Sequence, residues 1–343
     1  MSDVRLLGLG GTISMRETSS GAIPVATAEA LADSVPGFGG AEDIALVGGS
    51  EVSFAVLERL VGRVAELARQ GVDGVVVTTG TDSIEEVSAW LSYRGSWGIP
   101  VVVTGSMITG SRPDSDGAAN LADALTVASA GADSDPVVVF AGRVYAAREV
   151  LKVSGIDRDA FGAPGRGALG IVGGGDVSWF REMRRGPAHG DPSGAITPVP
   201  IVVAGLDDDG SVLAFAGSRH PAVIVAANGA GNLPPAQAAV AVGLAGDGTL
   251  IVITTRAPDA RVAPRYGYPG GVATLVAAGA HLAPGLTPHR ARLLVTLGLA
   301  QGRDVAALRE LIDSEADRAG PPPAISGGTA SSPPDRRAAS ARH

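Results

Sequence analysis

Residues 72–106 read "VDGVVVTTGTDSIEEVSAWLSYRGSWGIPVVVTGS", and the fold turns on how this stretch is parsed. Two β-branched runs, "GVVVTT" (74–79) and "PVVVTG" (100–105), bracket a segment of different period over Ser83–Tyr93. In that segment Ile84, Val87 and Leu91 share one helical stripe, and Glu85 and Glu86 fall in the first turn, where carboxylates favour the helix dipole. Asp82 or Ser83 is the expected N-cap. Strands with so little polar alternation are buried on both faces. A helix between two of them implies a parallel pair joined by a right-handed crossover.

The same rhythm extends outward. "VRLLGL" (4–9) and "PVVVFAG" (136–142) read as further strands, with helices over Phe54–Gln70 and Gly117–Ala130. The polar, Gly- and Pro-bearing stretch "REMRRGPAHGDPSGAITP" (181–198) reads as a linker. Beyond it "VPIVVAGL", "AVIVAAN" and "TLIVITT" alternate with helices near Pro235–Leu244 and Pro288–Gln301, and a helix over Val305–Asp317 closes the unit. The expected class is α/β, with a larger N-terminal, doubly wound, mainly parallel sheet domain (1–182) and a linker (183–198). A smaller C-terminal α/β domain (199–317) and a disordered tail (318–343) complete the chain. Ligands of such sheets bind in the crevice at the strand C-terminal ends.

Composition narrows the function. Net charge is −8, and no basic run exceeds short arginine pairs, which disfavours nucleic-acid binding. The chain has no cysteine, which excludes disulfides, thiolate metal sites and cysteine nucleophiles together. Its N-terminus carries no signal-peptide pattern, and its apolar runs are far too short to span a bilayer. The expectation is a cytoplasmic globule without membrane partners. Five scattered histidines, none paired at i,i+4, offer no zinc site and read as surface residues, so no metal or other cofactor is expected.

Several signatures come close and miss. "GLGGTI" follows a strand but lacks the third glycine of a dinucleotide fingerprint; "GSMITGSR" lacks the lysine of a phosphate loop; no G-x-S-x-G elbow is present. What remains is three strand ends. In "GLGGTIS" two glycines permit a tight turn that leaves Thr12 unshielded; in "TTGTDSIEE" Thr81 and Asp82 open a helix; "TGSMITGSRPDSDGAANL" is a polar loop. Each alone also reads as an ordinary turn or helix cap. Together they describe a crevice of hydroxyls, an acid and backbone N–H groups. Lys152, in "REVLKVSG", is the one lysine in the chain; every other cationic side chain is arginine. Unlike arginine, a lysine can exchange its proton.

These motifs resemble the bacterial-type L-asparaginase/glutaminase family. Its hallmarks are a G-G-T-I turn, a G-T-D-[TS]-x-E-E segment and a D-G-x-x-N-L stretch, met here in "GLGGTISM", "VVVTTGTDSIEEVSAWL" and "VVVTGSMITGSRPDSDGAANLADA". "YAAREVLKVSGIDRDAFGAPGRGALG" is similar to the segment bearing the family's catalytic lysine, and "GAGNLPP" and "LTPHRARLLVTLGLAQ" resemble landmarks of its smaller domain. The resemblance spans roughly residues 4–315. It implies two-stage hydrolysis of a small-molecule amide, with Thr12 as nucleophile and an acyl-enzyme intermediate, and Thr81, Asp82 and Lys152 as a polar triad beneath the substrate. Ser50, Glu51 and Asp82 would then bind the substrate α-carboxylate and α-ammonium, with Ser106 beside the leaving amide. A homodimer or homotetramer, its sites completed by a neighbouring C-terminal domain, is implied as well.

The chain departs from the family pattern in places. Thr79 stands where relatives commonly carry histidine, the loop "SMRETSSGAIP" lacks a tyrosine, and Ala230 replaces an asparagine of the secreted relatives. "RAPDARVAPRYG" is short for the acidic contact those relatives supply. The resemblance makes asparagine the first expected substrate, and the altered loop keeps glutamine or a specialised β-amide as alternatives. An amino-acid-binding protein without catalysis is the reading from another class.

Overall fold

The structure is a computed structural model and describes residues 2–131, 135–183, 185–258 and 261–316. Strand β1 (Val4–Gly10) leads into the hairpin β2–β3 (Met15–Thr18, Gly21–Pro24), then α1 (Ala28–Ser34), β4 (Phe38–Val47), α2 (Phe54–Gln70), β5 (Gly74–Thr78), α3 (Ile84–Arg94), β6 (Val101–Thr104) and α4 (Gly117–Ser129). The short strands β7 (Val137–Phe140), β8 (Arg143–Ala146), β9 (Leu151–Lys152), β10 (Phe161–Gly162), β11 (Gly170–Gly173) and β12 (Asp176–Trp179) follow. The C-terminal part comprises β13 (Ile201–Val203), α5 (Ser211–Gly217), β14 (Ala222–Ala227), α6 (Pro235–Gly246), β15 (Leu250–Thr255), α7 (Val272–Ala277), β16 (His281–Leu282), α8 (Pro288–Ala300) and α9 (Val305–Ala316).

The larger sheet has eight strands in the order β12-β11-β8-β7-β6-β5-β1-β4, parallel from β4 to β7 and antiparallel beyond. The smaller sheet, β13-β14-β15-β16, is parallel throughout. This is the α/β architecture expected from the alternation of apolar runs and helical stripes. Both faces of the larger sheet are covered, and the period of two divides its valines. Val75, Val77, Val101 and Val103 pack with α2 and α3, whereas Val76, Val102 and Val137 pack with α4. The α2–α3 cluster continues through Leu293, Leu294 and Leu297 of α8 into β14 and β15, so the two sheets share one apolar core. No helix among the described residues is long and apolar enough to cross a membrane.

Several expectations need correction. The strand read over 136–142 stops at Phe140, because Ala141 and Gly142 (φ 48° and 72°) reverse the chain into β8. Asn120 Oδ1 holds that turn by accepting the Ala141 N–H at 3.0 Å. Ser83 stands at the N-cap of α3, yet its hydroxyl donates to Gly80 O and faces Thr79 Oγ1 at 3.0 Å, capping nothing. The stretch read as a linker has no regular element among its described residues, and it is tied to α3: Asp191 pairs with Arg94 at 2.7 Å, and the His189 N–H donates to Tyr93 O at 2.7 Å. The His189 side chain is thus buried rather than on the surface, with its Nε2 3.0 Å from the buried Glu315. The tail read over 318–343 lies outside the described residues, as does Asp317, the last residue of the helix read from the sequence over Val305–Asp317.

Candidate active site

Three loops meet at the C-terminal ends of β1, β4 and β5, and glycine is what lets them meet. Gly11 has φ 82° and ψ −174°, and a Cβ there would lie 2.6 Å from Thr79 C and closer still to Gly80 N and Cα. A Cβ on Gly80 would lie 2.8 Å from Gly49 N. Residues 10–12, 48–51 and 79–82 therefore stack backbone against backbone. Thr12 opens a short 3-10 turn at the top of this stack and is half-buried, and no described side chain hydrogen-bonds its hydroxyl.

Thr81, Asp82 and Lys152 come together. Lys152 Nζ donates to Thr81 Oγ1 at 2.9 Å and to Asp82 Oδ1 at 2.7 Å. Thr81 is buried, the Lys152 side chain is 19% exposed and that of Asp82 69%, so the triad runs from the interior to solvent. Lys152 reaches this position from β9, which pairs with β10 and places Lys152 opposite Phe161. An amine bonded to a hydroxyl and facing an open carboxylate can pass a proton to or from that hydroxyl.

Ser106 follows β6 and is fully buried. Its hydroxyl lies 2.6 Å from Asp116 Oδ1 and also contacts Ile108 O. Asp116 further accepts the N–H groups of Met107 and Ile108 at 3.1 and 2.9 Å, and Asn120 Nδ2 bridges Gly105 O and Asp116. Burial pushes the Asp116 carboxyl up, but the Ser106 hydroxyl and the two N–H groups outweigh it and hold the group below the usual carboxylate range. Ser50 and Glu51 are both exposed; Glu51 Oε2 accepts the Gly48 N–H at 2.7 Å and closes its own loop.

Two functions were hidden in the sequence. Asp116 and Asn120 carry the D-G-x-x-N-L pattern, and their part in shaping the Ser106 loop shows only in three dimensions. Glu85 lies in the first turn of α3 as read, and it also accepts the backbone N–H of Lys152 at 2.6 Å. Burial pushes the Glu85 carboxyl up, only partly opposed by that N–H and by the charges of Arg290 and His289. Separately, a cavity of about 740 Å³ lies between the two sheet units, lined by Arg148, Leu151, Arg181, Thr255 and Arg290 among others. None of Thr12, Thr81, Asp82 or Lys152 lines it.

Comparison with known proteins bears directly on this geometry. Residues 3–185 match the family described as "Asparaginase, N-terminal", and residues 199–312 match "Glutaminase/Asparaginase C-terminal domain". The chain is 38% identical to a probable L-asparaginase of Deinococcus radiodurans over 261 residues, 74% of this chain and 79% of that one. It is 29% identical to L-asparaginase 2 of Bacillus subtilis, covering 89% and 84%. Among solved structures, a probable cytoplasmic L-asparaginase from Campylobacter jejuni superposes with a TM-score of 0.80 at 26% identity, covering 91% of this chain and 99% of that one.

Proposed function

The chain belongs to the asparaginase family, and from that premise we propose that it hydrolyses the side-chain amide of L-asparagine to L-aspartate and ammonia. Thr12 Oγ1 attacks the amide carbon, the C–N bond breaks, and ammonia departs with the proton taken from the hydroxyl. Water then attacks the resulting ester and frees the acid and Thr12. Thr81 and Lys152 carry the proton, while Asp82, its carboxylate open to solvent, holds Nζ and receives the substrate α-ammonium. Ser50 and Glu51 lie on the loop stacked against Gly80 and face the α-amino-acid end. The loop of Ser106 stands beside the leaving amide.

The observation that carries this reading is the pair of bonds from the lone lysine to Thr81 and Asp82. Asparagine is preferred over glutamine or another β-amide on the strength of the relatives named above. The test is ammonia release from Asn, Gln and simple β-amides by the wild type and Lys152→Arg. Release from asparagine by the wild type, and its loss in the variant, is expected. No ammonia from any amide, or undiminished turnover in Lys152→Arg, would sink the reading.

The chain is further proposed to divide at 183–198 into a catalytic and a smaller C-terminal domain, and to assemble as a homodimer or homotetramer. Val203, Leu206, Val212 and Phe215 support assembly, because they expose apolar surface around edge strand β13 and α5. Light scattering on purified protein decides this, a monomer refuting it. A cytoplasmic location is proposed by likeness to the Campylobacter protein, to be checked by cell fractionation.

A further inference from the structure

Strand β9 is two residues long, and its placement sets where the Lys152 amine sits. On one edge it pairs with β10, continued by the Val153 N–H donating to Ala160 O at 2.8 Å. On the other edge no strand is paired among the described residues. In extended backbone the carbonyl of one residue and the N–H two residues later point to the same edge. Here those groups are Val150 O and the Lys152 N–H. Each is taken by a side chain: Arg290 Nη2 donates to Val150 O, and Glu85 Oε1 accepts the Lys152 N–H at 2.6 Å.

We propose that Glu85 and Arg290 are positioning residues, a clamp of opposite charges that substitutes for the missing strand and fixes Lys152 Nζ against Thr81. Glu85 comes from the first turn of α3, whereas Arg290 is a buried residue of α8, so the smaller domain of the same chain helps to place the amine. The two groups attract each other across the edge they share. The groups facing Glu85 are the Lys152 N–H from β9, Arg290 and His289 from α8, and Glu86 from its own helix; Tyr93 and Glu149 face Arg290 in turn. Protonating Glu85 weakens its grip on the Lys152 N–H and leaves Arg290 without its counter-charge. Burial raises the pH at which this happens above that of a free glutamate.

The inference rests on the role proposed for Lys152, and its test separates the two. Ammonia release and hydrogen exchange across 150–153 are measured for the wild type, Glu85→Ala, Glu85→Gln and Arg290→Lys. Glu85→Ala should lower kcat about 10- to 100-fold with KM changed by less than about threefold, because displacing a reacting group by 1 Å costs on that order. The Lys152 amide should exchange faster in that variant. Glu85→Gln, which keeps an acceptor oxygen without the charge, should give kcat and Lys152 protection between those of Glu85→Ala and the wild type at neutral pH. Arg290→Lys should lower kcat without raising KM. Wild-type kcat in Glu85→Ala, unchanged exchange at Lys152, or a Glu85→Gln protein no better protected than Glu85→Ala would overturn the clamp. Should Glu85→Ala not fold, Glu85→Gln and Arg290→Lys decide the matter in its place. A wild type that releases no ammonia refutes the proposed reaction instead, and exchange at Lys152 still decides the clamp.

Discussion

Substituting Gly11 by alanine tests whether the backbone stack under Thr12 matters to the chemistry. At φ 82° and ψ −174°, Gly11 occupies a region open essentially to glycine alone, so a Cβ there costs about 1–3 kcal/mol in backbone strain. The same Cβ would stand 2.6 Å from Thr79 C and nearer still to Gly80 N and Cα, all of them backbone atoms with no rotamer to escape into. Relieving that overlap adds about 1–3 kcal/mol of overpacking. The expected destabilisation is therefore about 2–6 kcal/mol. Because the displaced atoms carry Thr12 on one side and Thr81 on the other, kcat should fall on the order of 100-fold. Urea unfolding followed by tryptophan fluorescence, together with ammonia release, measures both. Gly71→Ala is the control: it has φ 78° at the end of α2 with nothing within 4 Å of a Cβ. It should lose about 1–2 kcal/mol and keep its turnover. A Gly11→Ala protein as stable as Gly71→Ala and fully active would refute the reasoning.

Three more outcomes follow from the described contacts. Burial pushes the Glu315 carboxyl up, but His189 and Arg148 outweigh it and hold the group below its ordinary value. Its stabilisation is then complete above the unfolded carboxyl pKa, about 4.3, and is lost as pH falls through the lower folded value. Glu315→Gln should accordingly cost about 3–5 kcal/mol at neutral pH and give a shallower acid-unfolding curve by circular dichroism. Asp116→Asn removes the anion that gathers Ser106, Met107 and Ile108; kcat/KM for the amide should fall about 10- to 100-fold, read from steady-state kinetics. Thr78 is fully buried and its hydroxyl has no partner among the described residues, so Thr78→Val should be neutral or stabilising by up to about 1–2 kcal/mol in urea unfolding.

The strands that the sequence displays are those whose residues are apolar on both faces. β1, β5 and β6 fall within a residue or so of the runs read for them, and α2 spans the residues read, Phe54–Gln70. Its ends are marked locally, by Ser53 accepting the Val56 N–H and by left-handed Gly71. β4 escaped because it is a half-exposed edge strand bearing two glycines and two acids, a pattern that reads as loop. The β7–β8 hairpin escaped because its turn is Ala-Gly without the usual asparagine, its geometry being held by Asn120, some twenty residues away in sequence. At the site, Thr81, Asp82 and Lys152 were legible through motif likeness, and the structure brings them into hydrogen-bond contact. Glu85 was not, because an acid in a first helical turn looks the same whether it meets only the dipole or another strand's N–H. That difference is tertiary.

Arg148 and Lys152 lie four residues apart in "REVLKVSG" and are not interchangeable. Arg148 is a fork: Nε donates to Ser92 Oγ at 2.6 Å, Nη2 to Ser92 O and Pro187 O at 2.6 and 2.8 Å, and Nη1 pairs with Glu315, with the plane set 5.0 Å from the Tyr93 ring centroid. Those bonds tie the linker stretch and α9 to α3, and a lysine has too few directed donors to keep them. Lys152 is a point: one nitrogen reaches a hydroxyl and a carboxylate, and a guanidinium there would hold its proton permanently. Reciprocal substitution separates the two demands. Arg148→Lys should lose about 1.5–3 kcal/mol of unfolding free energy while kcat stays within about tenfold of wild type. Lys152→Arg should unfold near the wild-type urea midpoint while losing most of its turnover. The reverse assignment, with activity lost at position 148 and stability at 152, would mean that the amine is structural and that the proton acceptor lies elsewhere.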